Sequence, residues 1–219
     1  MKKSDLPNDF IVLATDSKPR PAPKDWRWEK LTDLARLESG HTPSRRHPEW
    51  WGGKTHWIAL PDIRAADGKE ILETAETTNE KGLENSAARL LPKGTVVMSR
   101  TASVGFVTVM GCPMATSQDF VNWVCGPELD PWFLAWALIA SRDFLLSLAS
   151  GAIHKTIYMP TVEAFRICVP EIDEQRHIVK ALRENFVYLN QAIQNIERQR
   201  HQIELLQPAL LRAAFAGQL

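Results

Sequence analysis

Net charge is the first thing missing from this chain: 26 Lys and Arg balance 26 Asp and Glu among 219 residues. A molecule without a bulk field does not draw in nucleic acid or acidic membranes at long range, although local patches remain open to it. Cysteine is scarce. Cys112, Cys125 and Cys168 form an odd set with no C-x-x-C pair, which argues against a disulfide scaffold or a thiolate zinc site. Long apolar runs are missing too. The N-terminus offers five apolar residues, Phe10 to Ala14, too few for a secretory signal. The apolar stretch from Trp132 to about Ala149 is broken by Arg142 and Asp143 before it reaches membrane-spanning length. The expectation is a cytoplasmic protein with no membrane partner.

The signatures of catalysis are absent as well. There is no Gly-rich phosphate loop, no G-x-S-x-G and no H-E-x-x-H. Nor is there an Asn-Pro-Pro-Tyr motif to house methyl transfer. His41, His47 and His56 are not at metal-ligand spacing, and surface or hydrogen-bonded roles fit them better. Pro61-Asp62 followed by Asp67-Gly68-Lys69 imitates a magnesium nuclease pattern. That chemistry needs its carboxylates on neighbouring strands sharing one ion, whereas four intervening residues describe a turn. Asp62 and Asp67 are therefore expected to be structural, and no catalytic residue, metal site or cofactor is expected in this chain.

What is present begins with the C-terminal fifth. After Pro170, with Asp173 as a candidate N-cap, Leu182, Leu189, Ile196, Ile203 and Leu210 recur every seven residues. Val179, Phe186 and Ile193 form a second row beside them, which fails at Arg200 and Gln207. These are the apolar rows of a coiled coil. Without Pro or Gly from Asp173 to Leu206, the rod would run about 50 Å at 1.5 Å per residue. Such a seam calls for a partner helix, and the chain holds no second one of that length.

Upstream, prolines at 19, 21 and 23 point to an extended arm over residues 1–25. Residues 26–169 alternate short β signals with turns: THWIAL, GKEIL, GTVVMS, VGFVTVM and FVNWVC. A short helix is expected near Glu84 to Leu90, and Asp130-Pro131 is a helix start. The fold class is thus α+β: a globular domain of mostly antiparallel strands with one buried helix, followed over 170–219 by the long helix and a short terminal one.

Four polar clusters lie on the loops of that domain. Thr42, Ser44, Arg45 and Arg46 occupy the first; Ser99 to Ser103, with Arg100, the second. Thr116-Ser117-Gln118 and His154-Lys155-Thr156, with Tyr158, complete the set. Arg suits guanine and phosphate, Gln suits adenine, and hydroxyls suit many acceptors. Solvated turns have the same composition, so each cluster alone is weak; four in one domain make a candidate reading surface.

A set of ordered motifs then resembles a known family. GHTPS (Gly40 to Ser44), Trp50, Gly52 and WIALPDI (Trp57 to Ile63) are similar to the target recognition domain of type I restriction-modification specificity subunits. So are the run from Lys81 to Val96, SVG (Ser103 to Gly105), SQDF (Ser117 to Phe120), PEIDEQRHI (Pro170 to Ile178) and the final LLRAAFAGQL (Leu210 to Leu219). The resemblance covers residues 26–219. It implies a non-catalytic subunit that selects a DNA sequence and docks methyltransferase (modification) subunits, which carry S-adenosylmethionine, with a restriction motor joining the complex. A complete subunit of that family has two recognition domains and two antiparallel spacer helices, where this chain has one of each. It looks like half a subunit, and a homodimer pairing the helix through Val179, Leu182, Phe186, Leu189, Ile193, Ile196 and Ile203 is expected to read halves of a bipartite double-stranded target. Contacts to DNA are expected from Thr42, Ser44, Arg45, Arg46, Lys54, Arg100, Gln118 and Lys155. An assembly adaptor that no longer reads DNA, and a magnesium nuclease, are the alternatives.

Overall fold

The computed structural model describes residues 11–18, 20–151 and 155–217. His154 of the fourth cluster, the start of the arm and the last two residues lie outside them. The chain divides into two compact units, Met1–Arg176 and His177–Leu219.

The first unit opens with β1 (Leu13–Ala14), β2 (Arg27–Lys30), α1 (Leu31–Leu34) and β3 (Ala35–Ser39). Next come β4 (Trp51–Ile58), α2 (Leu60–Ala65), β5 (Glu70–Ile71), β6 (Glu76–Thr78) and α3 (Glu80–Glu84). The chain continues through β7 (Val96–Ser99), β8 (Val107–Met110), β9 (Met114–Thr116) and β10 (Phe120–Cys125). It closes with α4 (Pro131–Ala140), α5 (Arg142–Leu148), α6 (Met159–Glu163) and β11 (Arg166–Val169), before α7 (Ile172–Phe215). The strands form three sheets, ordered β1-β11-β2, β3-β10-β7-β8-β5 and β6-β4-β9. Pairing is antiparallel except for β4 with β9 and β5 with β8. The α+β class expected from the short β signals is the one observed.

Strands β7 and β8 are buried along their whole length, which is why they read as continuous apolar runs rather than alternating ones. Ile58, Ile63, Ile71, Leu91, Val97, Met110, Met114 and Phe120 form the core between the sheets. Trp123 stacks against Phe165 at 6.1 Å, so the largest buried side chains tie β10 to the segment entering β11.

Several local expectations change. The N-terminal arm is not all linker: Leu13 and Ala14 are buried and pair with Ile167 and Arg166. The early helix sits at Glu80–Glu84 because the Asn79 side chain accepts from the Gly82 amide at 3.1 Å. It stops there because Asn85 and Ser86 donate back to the Lys81 and Gly82 carbonyls, an alternative to continuing the helix. Asp130 caps α4 as expected, accepting from the Trp132 and Phe133 amides. The apolar helix does not reach Ala149 in one piece. It breaks at Ser141, and Arg142 turns away to hold Asp67 and the Gly105 carbonyl.

Asp173 lies inside the first turn of α7 rather than capping it. The 44-residue helix is continuous, about 66 Å at the standard rise. Among the described residues no separate terminal helix follows it. Pro208 is carried inside it, where the ring removes the amide that would have bonded the Glu204 carbonyl. No helix among the described residues is long and apolar enough to cross a membrane.

The first turn of α7 is fastened to the domain by a residue that no sequence pattern singles out. Gln175 is fully buried. Its amide nitrogen donates to the Glu128 and Pro170 carbonyls, each at 2.9 Å, and its oxygen accepts from the Asp130 amide at 2.9 Å. Arg27 adds ion pairs to Glu171 and Glu128. Gln175→Ala would orphan three backbone groups. We expect a loss on the order of 2–4 kcal/mol in urea unfolding, given the cost of leaving buried polar groups unpaired, while Arg27→Ala, whose pairs are solvent-exposed, costs less than about 1 kcal/mol.

Candidate nucleic-acid interface

The loop from Gly40 to His47 is positioned by two tryptophans of β4. Trp57 is buried in the sheet and donates from its indole to the His41 carbonyl at 3.1 Å. The Trp51 indole reaches the Ser44 carbonyl at 3.5 Å, and the two rings meet edge to face at 5.0 Å. Parallel pairing of β4 with β9 brings Thr116 beside Ile58, and the His41 amide donates to the Thr116 carbonyl at 2.9 Å. Gly40 is required at this crossing. A Cβ there would overlap the Ser117 carbonyl and the Thr116 hydroxyl and lie 2.6 Å from the Thr116 carbonyl.

From this crossing the four clusters join into one surface. The Thr42 hydroxyl donates to the Gln118 side-chain oxygen. Arg100 donates from Nη2 to the Gln118 carbonyl at 3.1 Å, and its amide donates to the Asp119 carbonyl at 2.8 Å. Thr101 bridges Thr156, and the Ala102 amide donates to the Lys155 carbonyl. Ala102 takes φ +60, a left-handed conformation uncommon for residues with a Cβ and frequent at functional turns. Buried Asn122 supports the turn from behind, donating to the Thr116 hydroxyl at 3.0 Å.

Arg45 is held rather than free. It makes a two-pronged ion pair with Glu76 at 2.6 and 2.7 Å, and its guanidinium carbon lies 3.8 Å from the Trp51 ring centre. The pairing raises the pKa of Arg45 and holds the Glu76 carboxyl below its ordinary range, in both cases chiefly through the shared hydrogen bonds. Ser44 and Arg46 are exposed on the same loop, the Arg46 amide donating to the Ser44 hydroxyl at 3.3 Å. Lys155 and Gln118 are exposed beside them in the joined turns.

Lys54 stands apart from this set. It sits within the bulge between Trp51 and Thr55 of β4, in a recess of about 470 Å³ lined by Glu49, Asn79, Glu80 and Lys81. Two carboxylates share that recess, which makes it a poorer phosphate site than the loops. Of the helix rows, Val179 is only 7% exposed and Leu182 is half-buried, whereas Phe186, Leu189, Ile193, Ile196 and Ile203 are exposed.

The nuclease imitation dissolves into structure. Asp62 accepts from the Ala59 amide at 2.8 Å and the Ala75 amide at 2.9 Å, fixing the start of α2. Asp67 pairs with Arg142 and accepts from the Val107 amide. His56 is hydrogen-bonded to Thr74, and His47 stacks on Trp50. Burial pushes the Cys125 thiol up to about 12, with Asp130 adding to it, and the Cys168 thiol up to about 11, so neither is a thiolate at neutral pH.

Reading the sequence missed Glu76, Trp51 and Trp57 as parts of this site. The eight tryptophans were the available signal, since a high Trp count beside an Arg loop invites cation–π stacking. Glu76 had no signal; only the pairing of β6 with β4 sets it opposite Trp57.

Known proteins place these features in context. The family described as the type I restriction modification DNA specificity domain matches residues 23–205. The chain is 26% identical to the type I restriction enzyme MjaIX specificity subunit of Methanocaldococcus jannaschii, over 88% of this chain and 44% of that protein. It is 27% identical to the HindI specificity subunit of Haemophilus influenzae, over 59% of this chain and 28% of that protein. Among solved structures, the HsdS subunit from Thermoanaerobacter tengcongensis superposes with TM-score 0.63 at 18% identity, covering 95% of this chain and 48% of that one. A chain from a study of assembly and conformational transition in a type I R-M system gives TM-score 0.71 at 17% identity, covering 91% and 48%. The chain thus spans less than half the length of these relatives.

The crossing at Gly40 yields a direct expectation. Gly40→Ala should cost roughly 1–3 kcal/mol in denaturant unfolding, as overpacking of a closed site does. Amide exchange at residues 41–46 should rise in the variant; unchanged stability and exchange would show that the crossing does not hold the loop.

Proposed function

We propose, from the premise that this chain belongs to the type I restriction-modification DNA specificity family, that it is a non-catalytic DNA-recognition subunit working as an antiparallel homodimer. The observation that carries this reading is the joining of four separate polar loops into one surface through Thr42, Gln118, Arg100 and Thr156. Thr42, Ser44, Arg45, Arg46, Arg100, Gln118 and Lys155 are the proposed DNA contacts, with Lys54 peripheral to them.

Charge on the loops, rather than on the whole molecule, supplies the attraction. Arg46 and Lys155 are exposed cations of the kind that neutralise phosphates and release counterions. Exposed Phe186, Leu189, Ile193, Ile196 and Ile203 supply the apolar row for a second copy of the helix, each copy bringing one reading surface to one half of a bipartite duplex target. The methyltransferase subunits, carrying S-adenosylmethionine, and the restriction subunit beyond them are the proposed partners in the assembled complex. An adaptor that no longer reads DNA is the competing view.

Light scattering should return twice the 24.7-kDa chain mass at micromolar concentration, and Ile196→Glu with Ile203→Glu should return the monomer. Fluorescence anisotropy with a duplex should show salt-dependent binding, and Arg46→Ala with Lys155→Ala should lower the slope of log affinity against log salt by about 1.8 per chain. A monomeric wild type removes the dimer. No binding to duplex, with or without the modification subunit, favours the adaptor.

A further inference from the structure

We propose that Arg45 reads the edge of a guanine rather than a phosphate, and that Glu76 is the positioning residue that commits it to that role. The inference rests on the DNA-reading function proposed above and assigns specificity within it.

The geometry is that of a prepared donor. The Glu76 carboxylate takes one N–H from each terminal nitrogen of Arg45, Nη1 to Oε1 at 2.6 Å and Nη2 to Oε2 at 2.7 Å. Trp51 lies under the guanidinium at 3.8 Å, and Trp57 flanks it at 5.2 Å. Glu76 is itself fixed, because β6 pairs it with Trp57 and the Thr74 hydroxyl donates to its carbonyl at 2.6 Å. A guanidinium has five N–H donors in one plane. With the end-on pair engaged, the Nε–H and the second Nη2–H remain as a parallel pair along the side edge. The Arg45 side chain is 52% exposed, so the guanidinium is within reach of a ligand. The spacing of such a fork matches O6 and N7 of guanine in the major groove.

A phosphate could also accept the fork, and charge separates the two. Arg45 and Glu76 sum to zero, so the pair offers no net cation for counterion release. An anion on the side edge would sit about one guanidinium width from the Glu76 carboxylate and be repelled by it. The guanine edge carries no formal charge and meets no such repulsion. Neighbouring Arg46 is the contrast: among the described residues no carboxylate pairs with it, and it keeps its full charge for phosphate. Two adjacent arginines thus divide the two tasks of a DNA-binding loop, one positioning and one specifying.

The experiment uses the 219-residue chain and a duplex library with about 20 randomised base pairs, selected over successive rounds. The wild type should enrich a motif containing at least one required G·C pair per half-site. Arg45→Lys keeps the charge and loses the fork: preference at one G·C pair should fall roughly 5- to 150-fold, with the salt slope unchanged. Glu76→Gln releases the charge: affinity for random duplex should rise and the salt slope steepen by about 0.9 per chain, while preference at the same pair falls. Both side chains are half-exposed, and matching circular dichroism and thermal unfolding confirm that the variants fold. If Arg45→Lys leaves every G·C preference intact, or if Arg45→Ala weakens motif and random duplex equally and lowers the slope by about 0.9, the inference is overturned while DNA reading stands. A wild type that enriches no motif overturns both.

Discussion

The proposed reading surface depends on a single backbone crossing. At Gly40 the loop that carries Arg45 passes so close to Thr116 and Ser117 that no side chain fits between them, and the His41 amide closes the gap at 2.9 Å. This contact converts loops far apart in sequence into neighbours. Once Thr116 is beside His41, Gln118 meets Thr42, Arg100 meets Gln118, and Thr156 meets Thr101. The sheet provides the force behind it, since burial of Trp57 and Ile58 on β4 and of Ala115 and Thr116 on β9 fixes the parallel pair that brings the segments together. Loops held this way are exposed but not free, a useful property for groups that must meet bases in fixed positions.

Electrostatics then sorts the exposed groups. A neutral chain cannot rely on a bulk field, so each cation matters through its own surroundings. Arg45 is neutralised by Glu76 and stacked on Trp51, Arg46 and Lys155 are exposed, and Lys54 shares a recess with Glu49 and Glu80. Four basic residues of similar appearance in the sequence therefore differ in what they offer a ligand. The same sorting explains Asp62 and Asp67: amide donors and Arg142 occupy them, which leaves no reason to assign them chemistry.

Much of the fold was legible because its signals are local. Asp130-Pro131 announced α4, the sevenfold rows announced α7, and continuous apolar runs announced β7 and β8. The misplaced α3 was decided locally, by the Asn79 cap and the Asn85 and Ser86 side chains, but the larger failures share a cause, which is that distant partners decided the outcome. Arg142 was drawn to Asp67 and the helix broke at Ser141; Leu13 and Ala14 found β11 and became core despite prolines beyond them. Gln175 looked like one more polar residue in an amphipathic helix, yet three backbone groups of the domain converge on it. For the site, residue types on loops identified the candidates, and the ordered motifs identified the family. Neither could reveal that Glu76 holds Arg45, because that pairing exists only after β6 has aligned with β4.

The four loops are proposed to act as one DNA-contacting surface. Hydrogen–deuterium exchange of the full chain, alone and with duplex DNA at low salt, addresses it directly. Binding should slow exchange together at residues 41–46, 100–103, 117–119 and 155–157, while β7 and β8 and the recess around Lys54 stay unchanged. Protection confined to α7 or to the Lys54 recess, or no protection under conditions where the duplex is bound, would rule out a joint DNA-contacting surface on these loops.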